Sequence, residues 1–269
     1  MVIRPRSSGE ILTAGISMLA RVRRSLVAPA IGAFIPLGAL TLLTFQTTGA
    51  NEFLSLSFND PEALQAMTRE EFLELAAPFL NALLIAVLLQ TMASAFISLA
   101  TSRVVAAEID DEPITGGTAS RFALSRMLTL VAAGLVAATG ISLGLVLLVI
   151  PGIWLSVSVA MVPHVVALED RGIIGSLVRS IRLVRGRWWP TLGYLLLVGL
   201  MGSVAGSLLQ FVAIPLVALG DVSTGLALVF VAGLIFQGLV VAAIAVMNTM
   251  WYFDLAARME RKAISESPR

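Results

Sequence analysis

The sequence contains no cysteine. Disulfides, thiolate metal sites and cysteine nucleophiles are excluded together. Histidine occurs once, at His164, whereas a zinc or di-iron centre needs several nitrogen or carboxylate ligands brought together. There is no Walker loop, nucleophile elbow or paired-histidine helix motif, and the one adjacent glycine pair, Gly116-Gly117, is not followed by lysine. No catalytic, cofactor-binding or metal-binding residue is expected. The formal net charge of +1 points to no nucleic-acid partner.

Charge is scarce as well. Asp, Glu, Lys and Arg make up 13% of the 269 residues, against about 25% in an ordinary soluble domain. Apolar residues reach 58%, with a mean hydropathy of +0.93. A soluble surface could not be covered with so few polar residues, and a disordered chain would not be this apolar. The expected class is all-α: a polytopic membrane protein in one integral domain, residues 1–269.

Apolar stretches of about 18 to 25 residues read as membrane-crossing helices. Six are present: Leu26 to Phe45, Phe79 to Ser102, two within Leu128 to Leu168, Pro190 to about Leu216, and about Leu226 to Phe253. The uncharged run from Leu128 to Leu168 is too long for one span and divides at Pro151-Gly152, its strongest turn signal. Thr48-Gly49-Ala50 is only a weak cleavage-like site after a late, long apolar run, so the first span is expected to be retained. Of the 18 Lys and Arg residues, Arg69 alone falls on one side of these spans. The rule that basic loops stay inside then places both termini in the cytoplasm.

Each odd-numbered span follows an amphipathic, basic segment: Ser7 to Arg24, Thr118 to Met127, and Ile173 to Trp189. Ser7 and Glu10 have capping-box spacing, which predicts a helix start. The ends of spans two and four echo each other, Val104-Val105-Ala106-Ala107-Glu108 against Val165-Val166-Ala167-Leu168-Glu169. The economical reading is three units, 1–107, 108–168 and 169–269, each an interfacial helix followed by a two-span hairpin. In the long outer loop, Asp60-Pro61 and Thr68 with Glu71 predict two further helix starts.

Individual residues carry narrower expectations. Arg179, Arg182, Arg185 and Arg187 form a basic cluster beside Trp188 and Trp189. Tryptophan favours the membrane interface, and guanidinium groups bind phosphate bidentately. The six residues are the expected site for anionic lipid headgroups, with Glu169 and Asp170 placed to pair with one or two of the arginines. His164 is expected to be a neutral ring bonded to a backbone carbonyl that Pro163 helps to free. Gly140 with Gly144, and Gly202 with Gly206, have spacing that lets helices approach closely within the chain.

Five segments, in order, carry a likeness: Arg4 to Leu12, Ile150 to Leu155, Pro163 to Asp170, Ser180 to Trp189, and Tyr252 to Arg258. Together they resemble the bacterial integral-membrane family named after the membrane domain of glycerophosphoryl diester phosphodiesterase. The hydrolytic barrel that gives that family its name has no counterpart here. The resemblance therefore implies a stand-alone membrane part. The expected function is a non-enzymatic scaffold or accessory protein working through lipid or protein contacts. The alternative is a small transporter or lipid translocator, which would show a cavity lined by Gln90, Gln210 and Gln237.

Overall fold

In the computed structural model the backbone is described at residues 8–218 and 222–266, and the side chains there except at 8, 51, 54, 58, 59, 61, 209–218, 222–231 and 266. Ser7 and the Gln210 side chain lie outside this set. Every regular element among the described residues is an α-helix: α1 Ser8–Thr47, α2 Ala50–Asn59, α3 Pro61–Ala66, α4 Arg69–Ile109, α5 Gly116–Leu147, α6 Val149–Ser158, α7 Val162–Leu168, α8 Ile173–Val184, α9 Trp188–Ala218 and α10 Val222–Glu266. Six segments are long and apolar enough to cross a membrane: Gly9–Thr47, Arg69–Ile109, Gly116–Leu147, Val149–Leu168, Trp188–Leu208 and Ala232–Ser265. The protein is a multi-pass helical membrane protein.

Two of the three amphipathic segments are not separate helices. Residues 8–24 belong to α1, and Thr118 to Met127 belong to α5, each continuous with the span that follows. A change from an amphipathic to an apolar pattern alters which face is buried but removes no backbone hydrogen bond, so the helix runs on. Only α8 stands alone. It ends because Gly186 adopts φ 83°, a left-handed conformation that ends a helix with little strain in glycine. Arg185 N–H then bonds Ile181 O at 3.0 Å, and Arg187 N–H bonds Val184 O at 2.9 Å.

The outer helix starts form as their chemistry dictates. Asp60 Oδ1 accepts the Ala63 N–H at 3.1 Å. Thr68 Oγ1 accepts from Glu71 N–H at 3.3 Å while Glu71 Oε2 accepts from Thr68 N–H at 2.9 Å, a complete capping box.

The hairpin between α5 and α6 reverses at a different residue from the one expected. Leu148 is the one extended position between α5 and α6, at φ −155° and ψ 120°. Pro151 lies in the first turn of α6, where a helix needs no N–H from it. Gly152 is helical and serves close approach instead: a Cβ there would stand 2.6 Å from Leu145 Cδ2 and 2.7 Å from Leu145 N. The return span is itself interrupted after Ser158, because Pro163 has no N–H to continue the ladder. Ser180 of α8 bridges the break, accepting from Met161 N–H at 3.2 Å and donating to Ser158 O at 2.8 Å.

The centre is built by α1, α4, α5 and α10, which bury Leu26, Phe34, Ile97, Val105, Ala123 and Val246. A second cluster joins α9 and α10 to α6, α7 and α8, with Tyr194 stacked on Trp251 at 4.3 Å between centroids. Gly202 packs on Ile244 of α10, and Gly140 and Gly144 pack on α6, all contacts within the chain, whereas Gly206 has no such contact among the described residues. Leu84, Val87 and Leu88 of α4 face outward. Acyl chains rather than water suit such a surface.

Candidate functional site

The C-terminal third of α10 runs on beyond its apolar stretch and brings Arg258 and Lys262 against the end of α8. Between them lies an open cleft of about 550 Å³. Five basic side chains line it: Arg182, Arg185 and Arg187 from α8 and its turn, Arg258 and Lys262 from α10. Leu183, Leu255 and Met259 supply apolar wall, and no carboxylate or histidine is in the lining among the described residues. The positive φ of Gly186 sets Arg185 and Arg187 on either side of the reversal. Arg187 Nε is buried and has no hydrogen-bond partner among the described residues. An N–H in that position normally finds an acceptor.

Three of the six expected headgroup residues thus meet in one cleft. Arg179 does not. Its Nε donates to both oxygens of Glu169 at 2.8 Å, and its Nη1 lies 3.0 Å from Met259 Sδ. Glu169 also accepts from Arg171 Nε at 2.7 Å and from the Tyr252 hydroxyl at 2.7 Å. Burial pushes the Glu169 carboxyl upward. The hydrogen bonds from Arg179, Tyr252 and Arg171, with the nearby Arg179 charge, outweigh it and hold the carboxyl below its ordinary value. Asp170 pairs with Arg126 at 2.5 Å rather than with the cluster. The two carboxylates therefore remove one arginine from the site and leave Arg182, Arg185 and Arg187 available to a ligand.

The tryptophans divide in the same way. Trp188 Nε1 donates to Trp154 O of α6 at 3.1 Å, so its ring fastens the start of α9. Trp189, 75% exposed and set edge-on to Trp188 at 4.8 Å, is the ring that meets the surroundings. Arg258 and Lys262 escaped the sequence reading. Their four-residue spacing puts them on one helix face, but only the packing of α10 against α8 brings that face to the cluster.

His164 bonds hydroxyls rather than a carbonyl. Its Nδ1 lies 2.9 Å from Ser102 Oγ and 3.3 Å from Thr249 Oγ1. Both hydroxyls already donate to carbonyls of their own helices, Ser98 O and Ala245 O, each at 2.7 Å. Each carries a single proton, so Nδ1 bears the hydrogen and is shared between them. The node ties α4, α7 and α10 together. A separate cavity of about 330 Å³ lies among α1, α4 and α10, lined by Gln90 with Thr41, Thr91 and apolar residues. Thr41 and Thr91 donate to Leu37 O and Val87 O of their own helices, which leaves Gln90 as the amide in that lining.

A family model described as a domain of unknown function (DUF7847) matches residues 2–257. The chain belongs to this family. No curated protein and no solved structure matches it. The DUF7847 match ends one residue short of Arg258, so the second wall of the cleft stands at the boundary of the matched region. What the arrangement can do chemically is plain from its composition. This DUF7847 chain offers fixed positive charge, a guanidinium donor unmet among the described residues, and an apolar wall.

Proposed function

We propose that this is a non-enzymatic membrane scaffold or accessory protein that holds anionic phospholipid in the cleft between α8 and α10. The observation that carries the reading is the convergence of Arg182, Arg185 and Arg187 with Arg258 and Lys262, together with the buried Arg187 Nε. A basic residue near an anionic bilayer contributes about 1 kcal/mol, so the three arginines of the turn contribute roughly 3 kcal/mol. The apolar wall and the exposed Trp189 favour an amphiphile over a free ion.

The same reading sets the cleft on the cytoplasmic leaflet of a bacterial inner membrane with both termini inside, as the bias of basic residues requires. It keeps the three-unit scheme in a weaker form. The echoed segments 104–108 and 165–169 both end a helix, and each is followed by an aspartate in the left-handed region, Asp111 at φ 59° and Asp170 at φ 45°. It also takes up the resemblance to the phosphodiesterase membrane domain, which implies a membrane part standing without a barrel. The alternative, a small transporter or lipid translocator, draws on the Gln90 cavity, whose lining is mostly apolar.

The test replaces Arg182, Arg185 and Arg187 by Lys. Charge and orientation survive, while bidentate geometry is lost. Lipid co-purifying with the wild-type and variant proteins is then quantified. The proposal expects less phosphatidylglycerol on the variant. Equal retention would leave the arginines a role in topology alone.

A further inference from the structure

We infer that the cleft is matched to a phosphomonoester headgroup, as in phosphatidic acid, rather than to a singly charged phosphodiester. The inference rests on the lipid reading above and narrows it to a headgroup class.

Charge balance is the first ground. Arg182, Arg185 and Arg187 make no ion pair among the described residues, whereas Arg126, Arg171, Arg179 and Arg258 each have a carboxylate. Among the described residues, three fixed positive charges therefore face the cleft uncompensated. A diester brings one negative charge, while a phosphomonoester brings about 1.5 to 2 near neutral pH. Geometry is the second ground. Arg187 Nε is buried without an acceptor, while Arg182 and Arg185 are exposed around the same opening. A phosphomonoester presents three strong acceptor oxygens, so one can meet Nε while the others face the two outer forks. A diester has one acceptor fewer to divide among three arginines. The third ground is the apolar wall of Leu183, Leu255 and Met259, which suits the glycerol and first methylenes of a lipid.

The full chain, purified in neutral detergent, is titrated with phosphatidic acid, phosphatidylglycerol, phosphatidylcholine and inorganic phosphate, and binding is read by native mass spectrometry. At about pH 7.5 phosphatidic acid should bind about fivefold to tenfold more tightly than phosphatidylglycerol, the effect of roughly one more charge at such a surface. The advantage should shrink at about pH 5, because the second ionisation of a phosphomonoester lies near pH 6. The charged groups facing the ligand are Arg182 of α8, Arg185 and Arg187 of the turn, and Arg258 and Lys262 of α10, with Asp254 held by Arg258 at 2.6 Å. Arg185→Gln, at an exposed position, should remove most of the preference while leaving the melting curve unchanged. Arg187→Lys, which keeps the charge but removes the buried Nε donor, should lower the preference by less than Arg185→Gln does.

Phosphatidic acid and phosphatidylglycerol retained equally at both pH values would overturn the inference and leave the lipid reading standing. Neither retained above phosphatidylcholine would overturn both. Inorganic phosphate bound as tightly as phosphatidic acid would sustain the phosphomonoester match and overturn the lipid source.

Discussion

Gly152→Ala adds one methyl group where α5 and α6 are closest. The added carbon would sit 2.6 Å from Leu145 Cδ2 and 2.7 Å from Leu145 N, and the facing Gly144 meets Gly152 Cα at 2.9 Å by the same construction. The leucine methyl can rotate away. The backbone nitrogen cannot, because it belongs to α5 itself, and with one extended residue between the helices the hairpin has no slack to open at its tip. Overpacking of this kind costs about 1–3 kcal/mol. Replacing glycine by alanine inside a helix otherwise gains about 1 kcal/mol. The two effects have opposite signs, which makes Gly134→Ala the control: it lies in α5 with nothing within 4 Å of the added carbon. Thermal or denaturant unfolding in detergent, followed by circular dichroism, should show Gly134→Ala as stable as wild type or more so. Gly152→Ala should be less stable than that control by about 1–3 kcal/mol, the cost of overpacking alone, because both variants share the gain from removing a helical glycine. A Gly152→Ala protein as stable as the control would refute the close-approach account.

Two further perturbations test other parts of the structure. Glu169→Gln keeps the shape and the acceptor for Tyr252 but removes the charge opposite Arg179 and Arg171; hydrogen bonds to charged groups contribute about 1.5–3 kcal/mol, and a loss within that range is expected in unfolding experiments. Since the carboxyl is held below its ordinary value, its contribution is complete above about pH 4.3 and is lost as pH falls through the lower folded value. The stability gap between wild type and variant should therefore close on acidification, and a gap that persists in strong acid would contradict the role given to the charge. For topology, reporter fusions after Arg269 and within the loop from Gln46 to Pro78 should give opposite signals; an external C-terminus would overturn the orientation and put the cleft on the wrong leaflet.

Features set by local chemistry could be read from the sequence. Thr68 with Glu71, and Asp60 ahead of Pro61, cap helices through atoms three residues away, and the spans follow from the length of their apolar runs. Features set by partners far along the chain could not. Nothing near Arg179 says that Met259, 80 residues on, will lie against it. Nothing near His164 says that two hydroxyls on other helices will reach it before a carbonyl does. Arg258 and Lys262 became part of the site only because α10 continues as a helix beyond its apolar stretch. Pro151-Gly152 shows a third case: it marked the right neighbourhood for the hairpin, but the reversal falls on Leu148. Proline there fits a helix start, and glycine fits a close contact.

The His164 node has a consequence for how the chain is assembled. Its members are separated by 62 residues between Ser102 and His164 and by 85 between His164 and Thr249. Synthesis proceeds from the N-terminus at roughly 5–20 residues per second, so the imidazole waits several seconds for its second partner. The extensive packing of α1 against α10 must wait as well, because the first described helix has the last described helix as its neighbour. Until then Ser102 and His164 form a two-membered polar contact on an unfinished bundle, with the face of α1 that will meet α10 open to lipid. A chain stalled before α10 would present both features at once. Membrane proteases that survey nascent helices for polar groups and missing neighbours would have a ready basis for telling it from the finished protein.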